Sequence, residues 1–371
     1  MDIIVAIMPR LAAFLTSILM FMNSAGAPYT AQINTMESVT KLCDGCYVMD
    51  CGYDYNARGI LENGVSSTVE LLYSGLKTIY TGGKSFGCTT FNCVTGSGDY
   101  LLARNFDYMD SPALIVRTAP ENGYASISAV SLYFLGYELE PDGDYFADNT
   151  KSNMVTLLAP FLPLDGVNEK GFAIGVLELE TDPTFQVSLK PNLTTTTMIR
   201  ACLDNAATVD EAIEIFRSHD MRDLLFDGCK YHFQMSDAHG KSAIIEYYKN
   251  EMYILYPEKV KGSKTDYQAA TNFHLVDGAE DPDGLGRDRY DAAMTALKNS
   301  RGVMSEKQAM NLLKKVSVKD EDMNGYICST LWSEVFNMNR KTVSLCCFGD
   351  YNRRYTFSVA KPLAEQIGNS K

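Results

Sequence analysis

Positive charge is scarce in this chain: 33 Lys and Arg stand against 46 Asp and Glu over 371 residues, giving a formal net charge of −13 and a pI near 4.8. No bulk positive field is available to hold phosphates, which excludes a general nucleic-acid binder. Long apolar runs are missing too. The run at 11–22, LAAFLTSILMFM, has twelve residues, short of the ~20 that a bilayer span needs, and no later segment is long and apolar enough to cross a membrane. Histidine is rare, and none of His219, His232, His239 and His274 sits in a motif that a papain-like protease would require. Internal repeats and low-complexity tracts are absent. Disorder is excluded from the other direction, because 46% hydrophobic residues with 11% aromatics are ample material for a core.

What is present divides the chain. Arg10, the apolar run and the small residues Ser24, Ala25 and Ala27 have the layout of a secretory signal peptide, so residues 1–27 are expected to direct the protein to a secreted or extracytoplasmic location. Residues 28–87 differ in composition, with Cys43, Cys46 and Cys51, a helix-like stretch STVELLYSGLKTIY and the loop TGGKSFG, and read as a small pro-segment. The body, 88–371, opens with β-branched and aromatic runs around a GSGD turn, a hairpin signal. HFQMSD, SAIIEYYK and MYILYP predict an antiparallel meander, and RKTVSLCCFGDY and RYTFSVA two more strands. Helices are expected after the capping-box pairs Thr208/Glu211 and Ser305/Gln308. Strand runs and helix runs are segregated, which predicts an α+β fold with antiparallel sheets.

The segment SFGCTTFNCVTGSGDYLLARNFDY concentrates the chemistry. Counting outward from GSGD pairs Thr95 with Tyr100 and Cys88 with Asp107 across the hairpin, while Arg104 falls on the other face unless a bulge intervenes. A guanidinium near a thiol lowers its pKa toward neutrality. Gly87 leaves the preceding peptide bond unobstructed. If Cys88 cleaves that bond through an N-to-S acyl shift and hydrolysis, its new α-amine, with a reference pKa of ~7.7–8.0, can act as general base, with Asp107 orienting the ammonium. No catalytic histidine is then needed.

With GCTTFN followed by the arginine of ARNFDY, the chain resembles the N-terminal-nucleophile cysteine hydrolases that include choloylglycine hydrolases, penicillin V acylases and the acid-ceramidase and N-acylethanolamine amidase group. The resemblance extends over essentially all of 88–371. It implies an αββα sandwich, with Cys88 as nucleophile, Arg104 beside the thiolate and Asp107 at the amine. DGVNEKGFAIGVLELE looks like the family segment in which the residue at Glu178 lends its backbone N–H to the oxyanion. AATNF resembles the stretch that makes Asn272 the side-chain oxyanion donor, and GRDRYDAA the one that makes Arg289 the second active-site arginine, with Arg287 competing. The long pro-segment is similar to those of the ceramidase-like members, which cleave before Cys, here at Gly87–Cys88. The penicillin acyltransferase also begins C-T-T but lacks the arginine, so Arg104 favours hydrolysis.

The resulting expectation is a hydrolase of linear amide C–N bonds that needs no metal or organic cofactor and takes a small-molecule substrate with an apolar acyl group on a small amine or amino acid. A homo-oligomer is compatible with it. The rivals are an acyltransferase using the same thioester and a non-catalytic secreted binding protein. Cys43, Cys46 and Cys51 supply three thiolates at C-x₂-C-x₄-C without a local fourth ligand, so disulfides are the better reading than zinc in an exported chain. Cys346 and Cys347, being adjacent, cannot face the same side of a strand. Residues 155–164, VTLLAPFLPL, read as core or pocket wall.

Overall fold

In the computed structural model the described residues are 30–65, 87–137, 145–146, 152–222, 230–281, 284–323 and 326–369. The signal-peptide region and the STVELLYSGLKTIY stretch lie outside them, as does TGGKSFG up to Gly87. The strands in chain order are β1 (Thr40–Cys43), β2 (Cys46–Cys51), β3 (Gly87–Val94), β4 (Tyr100–Tyr108), β5 (Ala113–Thr118), β6 (Ser126–Ser131), β7 (Asp165–Asn168), β8 (Phe172–Glu178), β9 (Asn192–Leu193), β10 (Asp220–Met221), β11 (Tyr231–Asp237), β12 (Ser242–Tyr248), β13 (Glu251–Leu255), β14 (Ala269–Ala270), β15 (Glu321–Met323), β16 (Tyr326–Asn337), β17 (Thr342–Cys347) and β18 (Tyr355–Ser358). One large sheet has nine strands in the order β1-β2-β5-β6-β7-β8-β11-β12-β13, the other has seven, β14-β3-β4-β16-β17-β18 with β15 on β16, and β9 and β10 form a separate short parallel pair. Pairing in both large sheets is antiparallel except where β2 lies parallel to β5.

Alternation along β4 shows how the layers form. Leu102, Phe106 and Tyr108 enter the core shared by the two sheets, whereas Leu101 and Ala103 pack with Ala293, Leu297 and Leu313 of the helices behind. Helices Arg287–Ser300 and Glu306–Lys315 therefore cover the back of the seven-stranded sheet, and Thr195–Asn205 and Val209–Ser218 lie on the nine-stranded one. The predicted α+β order of helix, sheet, sheet, helix is what is found. The meander is β11 to β13, as expected. Ser305 and Gln308 close a full capping box, while Thr208 caps the Glu211 N–H and the Glu211 carboxylate accepts from Ala207 instead, completing half of one. Leu157, Leu158, Phe161 and Leu162 of the 155–164 stretch are buried in the core.

Two features differ from the sequence expectations. The hairpin register is one residue shorter: Val94 pairs with Tyr100, Cys88 with Phe106 and Gly87 with Asp107. Thr95 belongs to the turn, its N–H donating to the Asp99 carbonyl and its hydroxyl accepting from the Asp99 N–H, so it is not free to pair. A one-residue slip exchanges the faces. Cys88 and Arg104 consequently share the face toward the nine-stranded sheet without any bulge in their own hairpin, and Asp107 faces the helices. The bulge in this region is in β16, between Thr330 and Trp332.

The second difference concerns residues 30–65, which read as a separate unit ahead of the body. They are woven into it. β2 pairs with β5 from Cys46↔Ala113 to Cys51↔Thr118, and Cys46, Tyr47, Val48 and Met49 are buried. The Asp50 carboxylate accepts from the Leu363 and Ala364 N–H groups near the other end of the chain.

Candidate active site

Cys88 sits at the start of β3 with 1% of its surface exposed. Its backbone N–H donates to Asn272 Oδ1 at 2.6 Å, and its carbonyl accepts from Arg289 Nη1 at 2.7 Å. The same Nη1 reaches Thr89 Oγ1 and Asp107 Oδ2, both at 3.1 Å, and Nη2 reaches Asn272 Oδ1 at 3.2 Å. Arg289 thus ties the strand end, the aspartate and the asparagine into one network. Its position follows from Gly286, whose φ of 77° starts the helix and where a Cβ would stand 2.5 Å from Arg289 Nη2. Arg287, the competing candidate, is exposed and donates to the Asp281 carbonyl. Of the two arginines, Arg289 is the one in the site.

Arg104 lies on the thiol side, its Nη2 3.9 Å from Cys88 Sγ. Its Nε pairs with Asp165 Oδ2 at 2.7 Å with both side chains fully buried, and its Nη1 donates to the Val176 carbonyl. Gly175 admits the guanidinium, since a Cβ there would be 3.0 Å from Nη1. Asp165 is held in turn by Trp332 Nε1 and the Ala129 N–H. Glu334, opposite Arg104 on β16, is fully buried; burial and then the neighbouring Asp165 push its carboxyl well up.

Burial pushes the Cys88 thiol up to about 12 against the pull of Arg104. Burial likewise raises Asp107 to about 6, opposed by Arg289 and by the Thr330 hydroxyl, which donates to Asp107 Oδ1. Glu178 enters through its carbonyl, which accepts from Asn272 Nδ2 at 3.0 Å. The loop bearing Asn272 is braced from β12 by Glu246: His274 Nδ1 lies 2.8 Å from one carboxylate oxygen and His232 Nδ1 3.0 Å from the other, the Leu275 and Val276 N–H groups donate to it, and His232 Nε2 meets the Thr271 carbonyl. Burial pushes Glu246 up, but those histidine and backbone bonds outweigh it and hold the carboxyl well below its usual range.

The structure therefore gathers Cys88, Arg104, Asp107, Asn272 and Arg289, with the Glu178 backbone at the edge. Asp165, Gly175, Thr330 and Glu246 also serve the site but went unassigned in the sequence. Asp165 stands in the DGVNEKG segment and carried a signal; Thr330 carried none. Chemically, the arrangement offers a thiol beside a guanidinium, a carboxylate linked through Arg289 to the Cys88 carbonyl, and an amide side chain hydrogen-bonded to the nitrogen that cleavage would free.

The family model for linear amide C–N hydrolases of the choloylglycine hydrolase family matches residues 88–278, beginning at Cys88. A penicillin V acylase of Pectobacterium atrosepticum is 30% identical over 203 residues, which are 49% of this chain and 52% of that protein, so the chain spans about half the length of this curated relative. Among solved structures, a mutant of the conjugated bile acid hydrolase from Clostridium perfringens aligns with a TM-score of 0.52 at 15% identity, covering 75% of this chain and 94% of the other. Penicillin V acylase from Agrobacterium tumefaciens aligns with a TM-score of 0.51 at 19% identity, covering 74% and 87%. At these identities the structural likeness speaks for the fold.

Proposed function

Because this chain belongs to the linear amide C–N hydrolases of the choloylglycine hydrolase family, we propose that it hydrolyses a linear amide with an apolar acyl group on a small amine or amino acid, using Cys88 as an N-terminal nucleophile. Maturation comes first. Cys88 Sγ attacks the Gly87 carbonyl carbon, a thioester replaces the amide, and the Cys88 nitrogen leaves as an amine. Water then cleaves the thioester, giving a Gly87 carboxylate and regenerating the thiol. In the uncut chain the buried thiol is neutral; once the strand end is free, Arg104 and the new ammonium favour the thiolate.

In turnover the Cys88 thiolate attacks the substrate carbonyl. Asn272 Nδ2, released from the Glu178 carbonyl, and the Glu178 backbone N–H hold the developing oxyanion, a role worth ~3–4 kcal/mol per donor. The α-amine passes a proton to the leaving amine, Asp107 and Arg289 keep it in place, and water resolves the thioester. The apolar run at 11–22 would export the protein.

The observation that carries this reading is the convergence of Asn272 and Arg289 on the backbone of the residue where the family match begins, with Asp107 bonded to Arg289. Intact mass of purified protein tests it: a species starting at Cys88 is expected from the wild type and none from Cys88→Ala. A hydrolysis screen over conjugated bile acids, penicillin V and N-acylethanolamines should give turnover on at least one. Failure on all three together with an uncut chain would sink the proposal.

A further inference from the structure

Three cysteines outside the active site converge from both sides of the Gly87–Cys88 bond. The turn at Asp44 and Gly45, where Gly45 has a φ of 73°, sets Cys43 opposite Cys46. Cys347 ends β17 and brings its Sγ within 3.2 Å of Cys46 Sγ, and all three sulfurs lie within 4.8 Å of one another. Cys346, next along the strand, packs instead with the helices behind the sheet. Cys46 and Cys347 are buried, while Cys43 is half-buried at a recess of about 190 Å³ that Asp350, Arg353 and Tyr355 also line.

We propose that Cys46 and Cys347 form a disulfide that ties the N-terminal segment to the body after the chain is cut. Two thiolates on one tetrahedral zinc stand ~3.8 Å apart and a closed structural site takes four ligands. This pair is closer, and the group among the described residues has three thiols. Bond formation removes a proton and an electron from each thiol, and a small-molecule disulfide such as oxidised glutathione accepts both electrons and is reduced to two thiols. The tether has work to do: β2 covers the flank of β5 with buried Tyr47, Val48 and Met49, and its departure would bare a strand edge in the nine-stranded sheet. Cys43 supplies the way out. Its sulfur lies within 4.8 Å of the other two and it is half-buried, so as a thiolate it can attack Cys46 Sγ, form a Cys43–Cys46 bond and release Cys347 as thiolate.

The tether rests on the cut proposed above, whereas the disulfide does not, and the experiment separates the two. Wild-type protein and the uncut Cys88→Ala variant are alkylated under denaturing conditions, then analysed on gels with and without reductant and by peptide mapping. A Cys46–Cys347 cross-linked peptide is expected in both proteins. In the cut wild type the two pieces should run together without reductant and apart with it, and Cys347→Ser should release the N-terminal piece without reductant. Alkylation of both Cys46 and Cys347 in wild type and Cys88→Ala, a Cys43–Cys347 bond in their place, or bound zinc with no cross-link would overturn the disulfide. The cross-link in a wild type that remains uncut would overturn the tether and the maturation reading while leaving the disulfide standing. Because the map is read on wild type, the disulfide is decided even where Cys347→Ser fails to fold.

Discussion

The two sheets divide the labour unequally. The seven-stranded sheet carries Cys88, Arg104 and Asp107 on one hairpin and meets Asn272 just beyond β14, whereas the nine-stranded sheet contributes supports: Asp165 and the Val176 carbonyl under Arg104, and Glu246 under the Asn272 loop. Groups that would form and break bonds sit on neighbouring strands, where a short turn holds them in register. Apart from Thr330 on β16 and Arg289 on a helix behind the seven-stranded sheet, groups that hold them come from the facing sheet and are reached only by packing. Damage to the first sheet should therefore appear in rate, and damage to the second in geometry and stability.

The sharpest break is Asn272→Ala. If Nδ2 holds the oxyanion, kcat should fall by ~10²–10³, about 3–4 kcal/mol of barrier, with a much smaller change in KM. Steady-state kinetics on the mature enzyme decide it, and an equal rise in KM with kcat intact would assign Asn272 to binding alone.

Next is the titration of Asp107, raised by burial from the usual 3.8 to about 6. A carboxyl whose folded pKa is raised takes up a proton more readily when folded, so its contribution is fully present below pH ~4 and is lost as pH rises to about 6, about 3 kcal/mol in all. Asp204, paired with Arg200 on the helix over the nine-stranded sheet, is raised to about 6 by burial as well. Denaturant unfolding of uncut Cys88→Ala between pH 4 and 7 should show both slopes, and adding Asp107→Asn should remove one and leave the other. An unchanged slope would mean that Asp107 stays ionised throughout.

How far the sequence reaches follows the same division. Cys88, Arg104 and Asp107 lie within twenty residues of one another, so a turn and a strand period were enough to bring them together. The count was still one residue off, because Thr95 spends its N–H and hydroxyl inside the turn and no spacing rule reveals that. Asn272 and Arg289 were legible through resemblance to a family motif. Thr330 was not: it lies 223 residues from Asp107 and meets it only through β16. The parallel placement of β2 on β5 was equally hidden, since its cysteines suggested a separate unit and nothing local predicts which strand an N-terminal segment will join.

Gly175→Ala sharpens the role of the supporting sheet. A Cβ there meets Arg104 at 3.0 Å from Nη1 and 3.1 Å from Cδ, and Asp165 and the Val176 carbonyl leave the guanidinium no slack. A loss of ~1–3 kcal/mol in stability is expected from such overpacking. The pH profile of Cys88 alkylation in the mature enzyme should move to higher pH as Arg104 is displaced, and a profile that stays in place would show the arginine to be structural.

The smallest effects lie in the outer helix layers, where the two sheets should look alike. Ser305 caps the helix behind β4 and Thr208 the one against β11 and β12; each side chain accepts a backbone N–H at its helix start. Ser305→Ala and Thr208→Ala should each cost about 1 kcal/mol in denaturant unfolding. Neither residue touches the network around Cys88, so kcat should be unchanged in both. A kcat that falls only in Ser305→Ala would extend the active-site support into the helix that accepts the Asn105 side-chain bond at the Leu313 carbonyl, and would place the division of labour between layers rather than between sheets.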